Sequence, residues 1–413
     1  MESKGTGPVL IPTLGASSLS APEHGSYLTS TSEGLRSLPV GYPARLDRFS
    51  WAGNQQKDEE LHFVYNLTDE DKAEICSAKD HFKCMYTPLS GIFSILFSFF
   101  ILSADFRCPA LELDGDQVNR SNFPLPTLGS RLDELSQDIH NGNGLCVIRG
   151  INPADYPVED LTIIWLGIQA YIADQRGCQD HLGNMLVHII ADGSSKIKLG
   201  HHRHSTSAIT FHNEEAGDVV AWLTRSTAET GGKCIVASAY TIYNVLAAHR
   251  PDIIRTLAKS DWPFALPHFQ CRPVLFYHKS RLVMNFGRTP LLGNAVHPRP
   301  EHLPKLNDRQ REALDVVEAI AQAVQLEIKT QAGDMHFINN LAVLHRREGF
   351  VDGESPQHKR HLVRMRLRSS LLGWDIPEDL KEEWSNAFDA DTCQTWHLEP
   401  MPGDVFPLRK YTN

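Results

Sequence analysis

Two histidine segments carry the residue types that could bind a metal. The upstream segment contains His212-Asn213-Glu214, and the downstream segment, residues 333–345, begins with Gly-Asp and ends at His345. Two imidazoles and one carboxylate suit the facial triad, which holds Fe(II) on one octahedral face and leaves three positions open for chemistry. We therefore predict that His212, Glu214 and His345 form an iron site.

Other residues near these segments offer competing ligands. Glu215 and Asp218 follow Glu214 closely, so the carboxylate ligand is less certain than either histidine. The chain has 20 histidines, and a His-x-Glu tripeptide arises easily by chance. We interpret His336 as a structural residue and the cluster 201–204 (His-His-Arg-His) as a solvated loop.

Composition limits the class of partner. The formal net charge of −10 favours a small-molecule substrate over nucleic acid, because it gives no sign of a broad basic surface for phosphate groups. The eight cysteines lack CxxC pairs and dense spacing, which is typical of reduced thiols in a cytoplasmic protein. The oligomeric state stays open.

Three regions follow from local composition. Residues 1–42 are rich in Ser, Gly, Pro and Thr, so we predict a disordered arm without a secretory signal there. We predict a helical region with an apolar insert at 84–110 over residues 43–125, and the catalytic domain over residues 126–413. The insert's apolar run, 91–102, is shorter than the roughly 20 residues of a membrane helix, so we expect no stable membrane insertion. Either the insert is a genuine buried element, or it is a retained intron that has been translated.

The expected catalytic domain alternates short strands with a few helices. Strands are predicted from apolar runs bounded by turn residues, and helices over Val158–Ala173, Ala239–Ala258 and Asp308–Gln325. The predicted strands include 187–190, 219–223, 233–238, 272–277 and 282–286. This mixture favours a mainly β fold with helical elaborations, a double-stranded β-helix or jelly roll.

Four segments together resemble the family of taurine dioxygenase and 2,4-dichlorophenoxyacetate dioxygenase, which are Fe(II)- and 2-oxoglutarate-dependent enzymes. They are 211–214 (FHNE), 231–234 (GGKC), 333–345 and 359–364 (KRHLVR). The resemblance implies that His212, Glu214 and His345 bind iron. It also implies that Arg360 pairs with the distal carboxylate of 2-oxoglutarate and that Arg364 lies near the substrate or cosubstrate.

Two residues depart from the family pattern. Glu214 stands where most members have Asp, although clavaminate synthase, in the same superfamily, is similar in using Glu. Cys234 stands where taurine dioxygenase has a threonine whose hydroxyl contacts 2-oxoglutarate, and a thiol is a weaker donor. Iron binding stays expected, whereas the affinity for 2-oxoglutarate could be altered.

The resemblance implies a reaction with O2 and 2-oxoglutarate that releases succinate and CO2 and oxidises, most simply hydroxylates, a small organic molecule. Arg364 makes an anionic substrate conceivable. Two alternatives stay open. One is a jelly-roll binding or regulatory protein without turnover, and the other is a cupin-like metalloenzyme that uses a different metal or no keto acid.

Overall fold

A computed structural model describes residues 37–53, 63–86, 117–191, 205–294, 297–389 and 392–400. Most of the predicted arm, the apolar run at 91–102 and the histidine cluster at 201–204 lie outside these residues. The described residues from Leu38 onward belong to one compact unit. The boundaries predicted at 42 and 125, and the nature of the insert, stay predictions.

The strands of the described residues are β1 (Val64–Asn66), β2 (Leu145–Arg149), β3 (Gln175–Gly177), β4 (Val187–Ile190), β5 (Ile209–His212), β6 (Val219–Ser226), β7 (Thr230–Gly231), β8 (Cys234–Ser238), β9 (Trp262–Phe264), β10 (Gln270–Arg272), β11 (Leu275–His278), β12 (Arg281–Met284), β13 (Leu326–Ile328), β14 (Met335–Asn339), β15 (Val343–Arg347), β16 (Phe350–Val351) and β17 (His361–Arg368).

The α-helices of the described residues are α1 (Asp69–Tyr86), α2 (Leu128–Asn141), α3 (Val158–Ile172), α4 (Ala239–His249), α5 (Pro251–Leu257), α6 (Arg288–Leu292), α7 (Asp308–Val324) and α8 (Lys381–Phe388). Side-chain caps begin several of them. Ser238 accepts a hydrogen bond from the backbone N–H of Thr241 at the start of α4, and Asn307 and Gln310 form a reciprocal capping box on α7.

Two sheets form the framework. The larger sheet has the order β1-β2-β14-β6-β17-β3, with β4 also paired to β17. The smaller sheet has the order β13-β8-β15-β5. The pairs β14 with β6 and β15 with β5, which join sequence-distant strands, are antiparallel, whereas β1 pairs with β2 in parallel. Short pairs β9–β10, β11–β12 and β7–β16 connect or flank these sheets.

The larger sheet has two different faces because side chains alternate along a strand. On β6, Val219, Ala221 and Leu223 pack into the cluster that includes residues of α1, α2 and α3. The intervening Val220 and Trp222 belong to the other cluster, which includes residues of the smaller sheet, α4, α5 and α7. This second face looks into the space between the sheets, where the candidate site lies.

Two predicted elements are interrupted by proline. The single helix expected over Ala239–Ala258 is wrong, because α4 ends at His249 and α5 begins at Pro251. Proline has no backbone N–H to donate, and it moves the preceding residue away from helical angles; Arg250 has φ −141° and ψ 60°. The strand expected over 272–277 is likewise split around Pro273, into β10 and β11.

Most other expected elements are present with small boundary shifts. The helix expected over Val158–Ala173 ends one residue earlier, at Ile172, and the strand expected over 187–190 matches β4. No helix among the described residues is long and apolar enough to span a membrane.

Candidate active site

Strand pairing brings the two distant histidines together. His345 on β15 lies directly opposite His212 on β5, and the centroids of their rings are 4.3 Å apart. Glu214 follows two residues after the end of β5. One ligand atom from each of these three residues lies within 4.8 Å of those from the other two. The residues predicted from their order in the chain therefore form one cluster.

Each imidazole can present a lone pair to a metal. The Nδ1 atom of His212 lies 2.9 Å from the carbonyl oxygen of Thr210, and a carbonyl can only accept, so the neutral ring carries its proton on Nδ1 and is basic at Nε2. Burial, with the nearby His212, lowers the pKa of His345 to about 3. His345 is therefore neutral at physiological pH.

The backbone of Glu214 is fixed by a buried amide. Asn340 accepts a hydrogen bond from the Glu214 N–H at 2.8 Å and donates to the Glu214 carbonyl at 2.9 Å. The neighbouring Asn213 donates through Nδ2 to the Asn340 carbonyl and accepts from the Phe286 N–H. These contacts tie the turn after β5 to the turn between β14 and β15.

The competing carboxylates have different partners. Arg366 lies 3.4 Å from a carboxylate oxygen of Glu215. Asp218 accepts a hydrogen bond from the Trp384 indole at 2.8 Å, and burial raises the pKa of its carboxyl to about 6. The His212–His345 cluster therefore includes Glu214 rather than either competitor.

The donor set fits Fe(II). Two imidazoles and one carboxylate converge at the edge of a cavity, and the Nε2 atom of His345 lies 3.9 Å from a carboxylate oxygen of Glu214. A carboxylate and two imidazoles leave the remaining octahedral positions for other ligands. Glu214 also contacts the guanidinium of Arg364, which balances its charge in the protein alone.

The cluster opens into a cavity between the two sheets. Arg360, Arg364 and Cys234 all line it, together with Trp222, Leu362 and Arg347. All three predicted cosubstrate residues thus face the same space as the predicted metal ligands. The roles assigned to the three predicted metal ligands and the three predicted cosubstrate residues stay predictions.

Burial shifts the pKa values of the cavity residues. It lowers the pKa of the Arg360 guanidinium to about 10, which still leaves it charged at neutral pH. Burial raises the pKa of the Cys234 thiol to about 12, so this side chain is neutral. The pKa of Arg364 is also lowered by burial, while Glu214 opposes that shift. The cavity therefore holds charged guanidiniums in a low-dielectric setting.

Several residues that line the cavity were not predicted from the sequence, and Arg347 and Trp222 are two of them. Arg347 follows His345 by two positions, and Trp222 lies on β6 of the opposite sheet. The period of two along β15 places Arg347 on the face of His345 and could have indicated it. Trp222 had no comparable signal, because its place depends on how the two sheets pack.

His336 lies outside the metal cluster, as the sequence interpretation expects. It is fully buried on β14 and stacks on Trp222 with ring centroids 4.8 Å apart. Burial lowers the pKa of its imidazole to about 4. His336 therefore packs against Trp222, which lines the cavity.

A family comparison agrees with this geometry. Residues 110–366 match the model of the family described as Taurine catabolism dioxygenase TauD, TfdA family. This chain belongs to the TauD/TfdA family. The membership makes it an oxidoreductase, an Fe(II)- and 2-oxoglutarate-dependent dioxygenase of the hydroxylating type. The comparisons give no support to the inactive alternative.

Two relatives extend the match along most of the chain. The taurine hydroxylase-like protein SAT17 of Stachybotrys chartarum is 31% identical over 371 residues, which cover 86% of this chain and 89% of that protein. The FR-33289 synthase of Streptomyces rubellomurinus is 24% identical over 282 residues, covering 64% and 80%, respectively.

Solved structures share the fold of this TauD/TfdA member. Asparagine oxygenase in complex with Fe(II), 2S,3S-3-hydroxyasparagine and succinate has a TM-score of 0.54 and 14% identity, covering 74% of this chain and 93% of its own. The non-heme iron oxygenase OrfP in complex with Fe and alpha-ketoglutaric acid has a TM-score of 0.51 and 15% identity, covering 75% and 94%. The predicted jelly-roll fold is thereby confirmed.

Proposed function

We propose that His212, Glu214 and His345 bind the Fe(II) of this dioxygenase and that Arg360 binds the distal carboxylate of 2-oxoglutarate. The observation that carries the proposal is the convergence of three ligand atoms within 4.8 Å at a cavity that Arg360 also lines. A guanidinium suits the carboxylate because its planar fork can donate two parallel hydrogen bonds. Cys234 would contact the same cosubstrate through its neutral thiol.

When bound, Fe(II) would activate O2 for the coupled oxidation of 2-oxoglutarate and the substrate. The protein's own residues bind, orient and exclude water. His345 and Trp222 are mostly withdrawn from solvent, and Ile189, Val220 and Leu362 add apolar walls to the cavity. Such walls would limit the access of water to a reactive centre.

We propose a small anionic organic molecule as the primary substrate. The cavity presents Arg364 beside Glu214, and metal binding would draw the Glu214 carboxylate toward the metal. Arg364 would then offer its charge to a second anion, in a position separate from Arg360. Asparagine oxygenase and OrfP have been crystallised with the small molecules hydroxyasparagine and hydroxyarginine, respectively, which supports a substrate of this size.

The cytoplasm is the compartment we propose. Seven cysteines lie in the described part of the chain, and all seven are free thiols there. Free thiols are usual where the cell keeps cysteine reduced.

A substrate screen with an arginine variant tests the assignment of Arg364. O2 consumption by the Fe(II)-loaded protein with 2-oxoglutarate would be measured with small sulfonates, phosphonates and carboxylates, each beside a neutral analogue. We expect stimulation by an anion and not by its analogue. Arg364→Gln should remove that stimulation while slow, substrate-independent turnover continues. Equal stimulation by neutral analogues would rule out the anionic substrate, and an unaffected Arg364→Gln enzyme would rule out the role of Arg364.

A further inference from the structure

We propose that Arg347 is a second binding residue for the distal carboxylate of the cosubstrate, which it shares with Arg360. The inference rests on the proposed function, in which 2-oxoglutarate extends from the metal cluster to Arg360. It concerns a position that the family resemblance leaves unassigned.

The register of the smaller sheet places Arg347 beside the cosubstrate residues. Arg347 on β15 is the direct cross-strand partner of Cys234 on β8, just as His345 is the partner of Val236. Partners across a strand pair point to the same face, and so do residues two apart along one strand. Arg347, Cys234 and His345 therefore share the face that lines the cavity.

A phenylalanine ring links the two arginines. The guanidinium of Arg347 lies 4.8 Å from the centroid of the Phe350 ring, and that of Arg360 lies 5.4 Å from the same centroid. Both guanidiniums therefore lie beside the same aromatic ring.

Hydrogen bonds anchor the Arg347 guanidinium and the Arg360 backbone. Arg347 is only 6% exposed and donates through Nη2 to the carbonyl oxygens of Ser205, at 2.8 Å, and Ser207. The Arg360 backbone N–H donates to Asp352 at 2.8 Å. Both arginines are buried and line the same cavity, so they present positive charge that a bound anion would neutralise.

The chemistry of Cys234 explains why a second donor is needed. A buried, neutral thiol is a weak hydrogen-bond donor and replaces the hydroxyl that the family resemblance leads us to expect. The residue directly across the strand pair, Arg347, supplies a charged donor instead. A carboxylate can accept hydrogen bonds from two guanidiniums at once, because each oxygen has two lone pairs.

Equilibrium binding tests the proposal without relying on turnover. The Fe(II)-loaded full-length protein would be titrated anaerobically with 2-oxoglutarate and with 2-oxopentanoate, which has a methyl group in place of the distal carboxylate. Arg347→Gln should raise the Kd for 2-oxoglutarate roughly 10- to 100-fold, the usual effect of a lost charged hydrogen bond, and leave that for 2-oxopentanoate nearly unchanged. Arg288→Gln is the control and should show little effect, since Arg288 pairs with Asp315 and is not among the residues that line the cavity.

A double substitution adds an internal check. Cys234→Thr should have little effect in the wild-type protein, because Arg347 already supplies a donor, but should recover part of the lost affinity in Arg347→Gln. The single Cys234→Thr variant also keeps the test decisive if Arg347→Gln folds poorly, since a tenfold gain of affinity in that variant alone would overturn the proposal.

Other outcomes separate this inference from the proposed function. A folded Arg347→Gln protein with unchanged affinity, or with equal losses for both 2-oxo acids, overturns the role of Arg347. If Arg360→Gln binds 2-oxoglutarate as tightly as wild type, the assignment of Arg360 fails instead. A loss in Arg360→Gln without a loss in Arg347→Gln would leave the proposed function standing and remove only this inference.

Discussion

At the residue scale, the choice of carboxylate is the sharpest assignment at the metal cluster. We predict that Glu214→Gln lowers the affinity for Fe(II) at least about tenfold, because it removes the anionic ligand while keeping the size of the side chain. Glu215→Gln is the matched control and should bind Fe(II) nearly as well as wild type. Anaerobic Fe(II) titration measures both; a larger loss in Glu215→Gln would transfer the ligand role to that residue.

The buried amide behind Glu214 gives a second prediction at this scale. Asn340→Ala removes hydrogen bonds to the N–H and carbonyl of Glu214 and to the carbonyl of Gly217. Buried groups left without partners cost about 1–3 kcal/mol each, so we expect a loss of about 3 kcal/mol in the free energy of unfolding. Urea denaturation measures it.

The exposed Asn143→Ala is the control for that experiment, with an expected change below about 1 kcal/mol. Comparable losses in the two variants would show that the amide of Asn340 has no special structural part. A separate Fe(II) titration of Asn340→Ala should show weaker binding, because the turn that positions Glu214 would be less well fixed.

At the element scale, alternation and turn residues predicted much of the fold. The run 187–190 gave a strand because short apolar stretches between turn residues suit a sheet, and the structure has β4 there. The helix expected over Ala239–Ala258 is divided at Pro251, where the second of two helices begins. Local apolar patterns predict elements well, but a proline inside such a pattern indicates a break.

The pairing of distant strands could not be predicted from the sequence. The opposition of His345 to His212, and of Arg347 to Cys234, joins segments more than a hundred residues apart. Residue order and family resemblance indicate the three predicted metal ligands and the three predicted cosubstrate residues. They do not indicate Arg347 and Trp222, because only strand register and sheet packing bring these two residues to the cavity.

The turn between β7 and β8 yields a prediction about an element. Gly232 has φ +70°, and a Cβ added there would lie 3.3 Å from Cδ of Arg360 and 3.2 Å from Cβ of Phe350. Gly232→Ala should therefore cost about 1 kcal/mol of stability through strain and also weaken 2-oxoglutarate binding severalfold by displacing Arg360.

Gly41→Ala separates these two effects. Gly41 has φ +87°, yet an added Cβ there meets no atom within 4 Å. Thermal denaturation should show similar strain in both variants, whereas anaerobic titration should show weaker 2-oxoglutarate binding in Gly232→Ala only. Unchanged binding in Gly232→Ala would mean that this turn does not position Arg360.

At the scale of the whole molecule, buried histidines predict sensitivity to acid. His188 and His361 are hydrogen-bonded at 2.8 Å, and His188 also contacts the carbonyl of His397, at 2.6 Å. Burial, with Arg225 nearby, lowers the pKa of His188 to about 4 and that of His361 to about 3. The pair joins β4 and β17 to the segment 392–400.

The sign of the effect follows from the direction of these pKa shifts. Unfolded histidine titrates near pH 6.5, so between about pH 6.5 and 4 the unfolded chain binds protons that the folded protein does not. Stability is therefore full above pH 6.5 and falls toward pH 4, by on the order of 3 kcal/mol for His188. The midpoint of thermal unfolding should drop over this range, and the drop should be smaller in His188→Gln. A midpoint that is constant or rises on acidification would contradict the account.

The central claim is that this chain couples O2 consumption to decarboxylation of 2-oxoglutarate at the cluster of His212, Glu214 and His345. The most direct measurement is simultaneous O2 uptake and succinate formation by the full-length protein with Fe(II) and 2-oxoglutarate, beside His212→Ala and His345→Ala. We predict matched O2 uptake and succinate formation in the wild-type protein and their loss in both variants. A folded, iron-loaded wild-type protein that forms no succinate, or variants that form it at the wild-type rate, would contradict the claim.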